Sequence, residues 1–288
     1  MIMIQHAVFL ISAADRKGLL AETTMFFYKR SFNILHCRQY TDAMENSYFM
    51  RIKIDLAGMT MTRRKLEEEF AELGKELNFT FKVYYSDAVS RVAIMVSKTS
   101  HCLYDLLVRR EDGFLPCEVP LIISNHPDLE AVADRFHIPY YCCPIKDKSC
   151  KAEQEAQVIE LCDKHHIDLV VMARYMQVLS DDFIAHFKGN IINIHHAFLP
   201  AFQGGNPYNR AWQRGVKMIG ATAHYATADL DEGPIIEQDV ERVSHEHSPE
   251  DLKEIGRDIE RRVLTRAVKA HLEHRVITAG LRTIVFDG

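Results

Sequence analysis

An amide and two imidazoles interrupt an apolar run in the second half of the chain. The segment IINIHHAFLPAF (191–202) begins like a buried strand, yet Asn193, His195 and His196 lie within it or directly after it. Burying such polar side chains costs free energy unless they gain partners or perform a function. Because an amide N–H and an imidazolium N–H both suit a developing oxyanion, Asn193 and His195 indicate an oxyanion-stabilising site.

The spacing of these residues predicts their directions. In a strand, Asn193 and His195 point to the same side and His196 points to the other. Ligands of open α/β sheets bind beyond the carboxyl ends of the strands, so a strand over 190–194 puts Asn193 and His195 at that edge. The glycines of the following loop, which include Gly204, would let its backbone approach a ligand closely. A purely structural role for the histidines stays open.

An acidic turn supplies the third candidate group. Three carboxylates lie within 229–232, just before Gly233-Pro234 and an apolar strand. That strand would bring Asp231 to the sheet edge, where a carboxylate holds an imidazole in orientation and raises its pKa. For Asp229 and Glu232, a solvated acidic loop is an equally good interpretation.

Composition excludes several other classes of protein. The net charge of −5 gives no support for non-specific nucleic-acid binding. No apolar stretch approaches the roughly 18–20 residues of a membrane-spanning helix, and the N-terminal segment is predicted to be a strand rather than a signal peptide. The seven cysteines lack a regular spacing, which favours reduced thiols and a cytoplasmic location. Zinc is not predicted, because His195 and His196 should face opposite ways and the cysteines lack zinc-ligand spacing.

Two regions with different patterns must position these residues. Residues 5–84 predict the order βαββαβ, a ferredoxin-like arrangement, with strands at 7–12, 34–41, 47–54 and 79–85. From Arg91 onward, short apolar strands alternate with helices, which predicts a doubly wound, mostly parallel sheet. Helices are expected over 128–136, 154–165 and 249–274, the last beginning at a capping Ser248 followed by Pro249. We predict domains at 1–86 and 87–288.

These residues resemble the formyltransferase family that uses 10-formyltetrahydrofolate. The resemblance rests on Asn193-Ile194-His195, Leu199-Pro200 and the 230–234 turn, and it covers about residues 91–285. It implies that Asn193, His195 and Asp231 are the catalytic trio. It also implies that six residues contact substrate. Four of them, Arg174, Met176, Val178 and Leu179, lie in the segment 174–179, and the other two are Gly204 and Gly233. From the sequence alone, Met176, Val178 and Leu179 fit a hydrophobic core equally well.

The N-terminal region is similar to an ACT domain, a ferredoxin-like module that often binds amino acids. The similarity lies in the run 15–20, and it implies an effector site near Asp15 and Gly18 and pairing across subunits of a homo-oligomer. A purely architectural domain is the alternative. An ACT-like domain before a formyltransferase domain is the layout of the formyltetrahydrofolate deformylases. The run 217–225 also resembles that group of enzymes.

The resemblance implies hydrolysis of 10-formyltetrahydrofolate to tetrahydrofolate and formate, within one-carbon metabolism and purine biosynthesis. The folate is then a substrate, and no separate cofactor is expected. No Gly-rich dinucleotide-binding loop is present. Two other readings remain: formyl transfer to an amine acceptor, and a non-catalytic sensor of folate or amino acids.

Overall fold

The structure, a computed structural model, describes residues 5–145, 147, 150–200 and 207–288. The chain forms two compact units. The N-terminal unit comprises the residues up to Val89 together with 274–277 and 284–288, and the C-terminal unit comprises 90–273 together with 278–283. In the described part of the chain, no helix has both the length and the apolarity needed to cross a membrane.

The N-terminal unit has the predicted order βαββαβ. Its elements are β1 (His6–Ala14), α1 (Leu19–Lys29), β2 (Ile34–Asp42), β3 (Ser47–Asp55), α2 (Arg63–Leu77) and β4 (Phe79–Tyr85). The strands pair antiparallel in the order β2-β3-β1-β4, which confirms the ferredoxin-like arrangement. Phenylalanine rings fill its core: the Phe70 ring centroid lies 4.8 Å from that of Phe9 and 5.4 Å from that of Phe27.

The C-terminal unit alternates strands and helices, as predicted. Its elements are β5 (Ser90–Val96), α3 (His101–Glu111), β6 (Cys117–Ser124), α4 (Glu130–Arg135), β7 (Tyr140–Cys142), α5 (Lys151–Lys164), β8 (Leu169–Met172), α6 (Asp181–His186), β9 (Ile191–His195), α7 (Pro207–Arg214), β10 (Met218–Tyr225), β11 (Ile235–Arg242) and α8 (Pro249–Leu272). Two further strands, β12 (Val276–Ala279) and β13 (Arg282–Val285), pair with each other.

The central sheet is parallel in its larger part and antiparallel at one edge. Its order is β11-β10-β9-β8-β5-β6-β7, with parallel pairing from β9 through β7 and antiparallel pairing of β10 with β9 and β11. The side chains of α5 and α6 share a core with alternate residues of β5, such as Ala93 and Met95. Helix α8 packs against α3 and against β9, β10 and β11. The mostly parallel, doubly wound sheet is therefore confirmed.

The start of α8 shows how local sequence fixes an element. Ser248 accepts a hydrogen bond from the backbone N–H of Asp251, whose side chain accepts one from the backbone N–H of Ser248, and Pro249 begins the helix. This reciprocal capping box satisfies two backbone donors at the helix start. The capping prediction is confirmed, and the helix ends at Leu272, close to the expected position. The helices predicted over 128–136 and 154–165 lie at Glu130–Arg135 and Lys151–Lys164.

Candidate active site

The predicted catalytic residues meet beside the neighbouring strands β9 and β10 of the C-terminal unit. Asn193 and His195 are the third and fifth residues of β9. In the antiparallel register they lie opposite His224 and Thr222 of β10. The turn after β10 then brings Asp231 back to β9, where its carboxylate Oδ1 lies 3.1 Å from His195 Nδ1. The structure therefore brings all three residues together.

His195 has one nitrogen committed and one available. A carboxylate only accepts hydrogen bonds, so the contact with Asp231 places a proton on His195 Nδ1. The His195 side chain is only 7% exposed, and its Nε2 is buried with no hydrogen-bond partner among the described residues. A buried nitrogen without a partner is costly unless a ligand or reactant uses it. Nε2 is therefore the atom of His195 that is free to act on a substrate.

Asp231 is held in its ionised form. Burial alone would raise the pKa of Asp231, but the hydrogen bond from His195 and the electrostatic contribution of that ring outweigh it and lower that pKa. Its backbone has a φ of 60°, in the left-handed region. Asp is among the few non-glycine residues that adopt this region readily, so the turn can present a carboxylate here.

His224 is a member of the site that the sequence reasoning did not single out. Its Nδ1 lies 2.9 Å from the carbonyl oxygen of Tyr225, so Nδ1 carries the proton of the neutral ring and Nε2 is an acceptor. The Asn193 amide nitrogen lies 3.3 Å from His224 Nε2 and donates to it. Burial is the main cause that lowers the pKa of His224, which favours this neutral form. His224 thereby fixes the direction of the Asn193 amide.

The prediction that His196 points away from the site is wrong. Its ring stacks on that of His195, with centroids 5.1 Å apart, and it lines the same cavity. Strand alternation does not apply beyond β9, which ends at His195. Burial, followed by the charge of Arg174, lowers the pKa of His196 to about 4. His196 is therefore a neutral wall of the site at physiological pH.

A cavity of about 220 Å³ connects these groups with the predicted substrate segment. It is lined by the segment 174–179 after β8, by residues 193–196 at the end of β9, and by residues between 224 and 231 at the end of β10 and in the turn that follows. Met176 and Val178 line it and are 56% and 53% exposed, so they do not belong to the core. Leu179 lines the cavity and is also buried in the core. Arg174 lines it as well, and contact of these residues with substrate stays a prediction.

Gly233 has a packing role that the sequence did not reveal. A Cβ atom at this position would lie 1.7 Å from the carbonyl oxygen of Tyr225 and 3.2 Å from His224 Nδ1. Any side chain would therefore push the turn off β10. Gly233 is not among the described residues that line the cavity, so its predicted substrate contact gains no geometric support.

Of the other predicted residues, Gly204 lies outside the described residues. Asp15 and Gly18 belong to the N-terminal unit, in the exposed turn between β1 and α1. Gly18 has a φ of 97° and precedes the first turn of α1, a conformation that side chains rarely adopt.

Behind the cavity lies a buried carboxylate that sequence reasoning also missed. Glu260 of α8 is 1% exposed, and its two oxygens accept hydrogen bonds from the Tyr208 hydroxyl at 2.6 Å and from His101 Nε2 at 2.8 Å. Burial would raise the pKa of Glu260, but the hydrogen bond from His101, the charge of Arg174 and the hydrogen bond from Tyr208 lower it. The available signal was an acid on the apolar side of α8, one turn after Gly256.

One group of three side chains in the described part of the chain has the proximity of metal ligands: His101, Cys102 and Glu260, whose ligand atoms lie within 4.8 Å of one another. Both Glu260 oxygens already accept hydrogen bonds. Burial, with the charge of Glu260, raises the pKa of Cys102 well above its usual value, whereas a metal requires the thiolate. The group fits a hydrogen-bonded network better than a metal centre.

The C-terminal unit, with its doubly wound sheet, belongs to the formyl transferase class. A family model described as "Formyl transferase" matches residues 90–268. The crystal structure of a glycinamide ribonucleotide transformylase 1 from Symbiobacterium toebii is similar, with a TM-score of 0.65 and 29% identity, covering 71% of this chain and 97% of that one.

Known proteins that are similar to this one over nearly the whole chain show which branch of the class it belongs to. A formyltetrahydrofolate deformylase from a Synechocystis species is 50% identical over 280 residues, which is 97% of this chain and 98% of that protein. The crystal structure of a formyltetrahydrofolate deformylase from Pseudomonas syringae pv. tomato has a TM-score of 0.95 and 40% identity, covering 99% of this chain and 95% of that one. The chain belongs to the formyltetrahydrofolate deformylase family.

Proposed function

We propose that this protein hydrolyses 10-formyltetrahydrofolate to tetrahydrofolate and formate. The observation that carries the proposal is the paired His195 and Asp231, with His195 Nε2 unpartnered beside a cavity, in a chain of the deformylase family. The reaction uses only the folate and water, so we propose no separate cofactor.

In the proposed mechanism, water attacks the formyl carbon and the carbonyl oxygen becomes an oxyanion. The Asn193 amide has two N–H groups; one donates to His224, and the other is available to the oxyanion. Asp231 orients His195, whose neutral Nε2 takes the proton that the attacking water releases; the Nε2–H formed in this way then also faces the oxyanion. The bond from carbon to N10 breaks as N10 takes this proton and leaves as the amine, and the formic acid released ionises to formate.

Transfer to an amine acceptor is the competing function, and the segment after β5 argues against it. A phosphorylated acceptor such as glycinamide ribonucleotide needs a cradle, usually glycine-rich backbone at a strand-to-helix turn. Residues 97–101 contain no glycine. Ser97 donates to Asn125 and accepts from the Met176 backbone N–H, and His101 donates to Glu260. These contacts support hydrolysis, because the side chains of Ser97 and His101 already have partners within the protein.

The acceptor requirement tests this proposal directly. We expect steady formate release from 10-formyltetrahydrofolate with no acceptor present, because water is then the only nucleophile. Adding glycinamide ribonucleotide should neither raise the rate nor yield a formylated product. Formate measured by a coupled dehydrogenase and the nucleotide followed by mass spectrometry give both readouts. Turnover that depends on the acceptor would contradict hydrolysis, and binding without turnover would favour a sensor.

We also propose that the N-terminal unit is an ACT-like regulatory domain of a cytoplasmic homo-oligomer. The left-handed Gly18 and the exposed Asp15 form the turn at which an amino acid would bind. Glycine and methionine are the candidates, because one-carbon metabolism feeds both. Calorimetric titration should show binding of one of them and a change in formate release. If neither amino acid binds and neither changes the rate of formate release, the unit has an architectural role instead.

A further inference from the structure

Arg174 is an internal cation of the C-terminal unit. It follows β8 with a left-handed backbone, at a φ of 67°, and it lines the cavity that also contains Asn193 and His195. Its side chain is only 15% exposed. A guanidinium stays charged at any physiological pH, so this position brings a permanent positive charge into the site.

The hydrogen-bonding capacity of that guanidinium is largely unused. Its Nε lies 3.5 Å from a Glu260 oxygen, and Nε and Nη1 are both buried with no hydrogen-bond partner among the described residues. Glu260 is not a bidentate partner, because its ion-pair contact is with Nε alone, and its oxygens also accept from Tyr208 and His101. Buried donors without acceptors cost free energy, so this arrangement favours a ligand that accepts from them.

The groups around Arg174 determine how much of its charge can attract an anion. His196 stays neutral near physiological pH, since burial and Arg174 itself depress its pKa. Glu260 offsets part of the charge but already accepts from His101 and Tyr208. An acceptor reaching Arg174 from the cavity has to fit a space of about 220 Å³ beside the His195 imidazole.

We infer that Arg174 binds the carboxylate of the reaction product, formate. The inference rests on the proposed hydrolysis, which generates a small planar anion beside His195. Guanidinium and carboxylate match as planar, bidentate partners, and the match gives Arg174 the acceptors it lacks. Arg174 is then a product-binding residue, and Glu260 is the positioning residue that holds it at the cavity. The shared chemistry is a carboxylate, which the glutamyl tail of the folate could also supply.

Formate binding to the substrate-free protein tests this inference. The broadening of the formate proton signal in NMR, at constant ionic strength, reports the affinity. Arg174→Gln should weaken formate binding about 10- to 100-fold, since a hydrogen bond to a charged group contributes that much. Arg257→Gln, on the exposed side of α8, is the matched control and should leave the affinity unchanged. Arg174→Lys keeps the positive charge but loses the planar, bidentate guanidinium, so this variant should bind formate more weakly than wild type.

The outcomes separate this inference from the proposed function, because the titration needs no turnover. Equal formate affinity in wild type and in Arg174→Gln would overturn it. A raised KM for 10-formyltetrahydrofolate in Arg174→Gln, with formate affinity unchanged, would assign Arg174 to the glutamyl carboxylate instead. Should Arg174→Gln not fold, equal affinity in Arg174→Lys and wild type would overturn the inference.

Discussion

Asp231→Asn should lower the rate of formate release about 100- to 1000-fold, the cost of removing one preorganised group that stabilises an oxyanion or handles a proton. The carboxylate is 3.1 Å from His195 Nδ1, and its contact with that imidazole keeps it ionised. Asn has nearly the same shape and tolerates the left-handed backbone at this position, so the turn should persist. The loss therefore isolates the charge.

The companion variants and the control make this result specific. Asn193→Ala and His195→Ala should each cost a similar factor in turnover number. Asp229→Asn lies in the same turn, is exposed, and should change the rate little. Unfolding monitored by circular dichroism would show that each variant keeps its fold. Near-wild-type formate release in the three site variants would mean that the catalytic assignment is wrong.

Gly233→Ala should damage both stability and activity. The added Cβ would lie 1.7 Å from the Tyr225 carbonyl oxygen, a backbone atom of β10 that has little freedom to move. We expect a loss in the free energy of unfolding of about 1–3 kcal/mol or more, as for other overpacked sites. The turn must shift to relieve the clash and carries Asp231 away from His195, so formate release should fall as well.

A glycine in open space provides the comparison. Gly215 has a φ of 61°, and a Cβ there would meet nothing within 4 Å. Gly215→Ala should therefore cost only the left-handed backbone strain, about 1–2 kcal/mol, and leave turnover intact. Thermal unfolding and formate release of both variants check the prediction. Equal turnover in Gly233→Ala and wild type would show that the turn accommodates the methyl group without moving Asp231.

The fold was readable from the sequence because its elements carry local signals. The order of β-prone runs and helical stretches predicted the ferredoxin-like unit, alternating strands and helices predicted the doubly wound sheet, and Ser248-Pro249 predicted the start of α8. All three are confirmed. The meeting of β9 with the 229–234 turn was expected from strand ends, and the structure brings Asp231 to His195.

The parts that sequence reasoning missed depend on pairing across distant segments. His224 meets Asn193 only through the antiparallel register of β9 and β10, which no local pattern specifies. His196 was misdirected because alternation was extended past the end of a short strand. Glu260 lies behind the site because α8 packs against α3, which brings His101 within hydrogen-bond distance of its carboxylate.

The reversal of strand direction at β10 separates two groups of residues that line the cavity. The proposed chemical groups come from β9, β10 and the turn after β10, whereas Arg174, Met176 and Val178 follow the parallel strand β8. If the predicted contacts hold, recognition and bond cleavage belong to two stretches of chain that line one cavity. Substitutions at Met176 or Val178 should therefore change which molecule is accepted more than they change the geometry of the reacting groups.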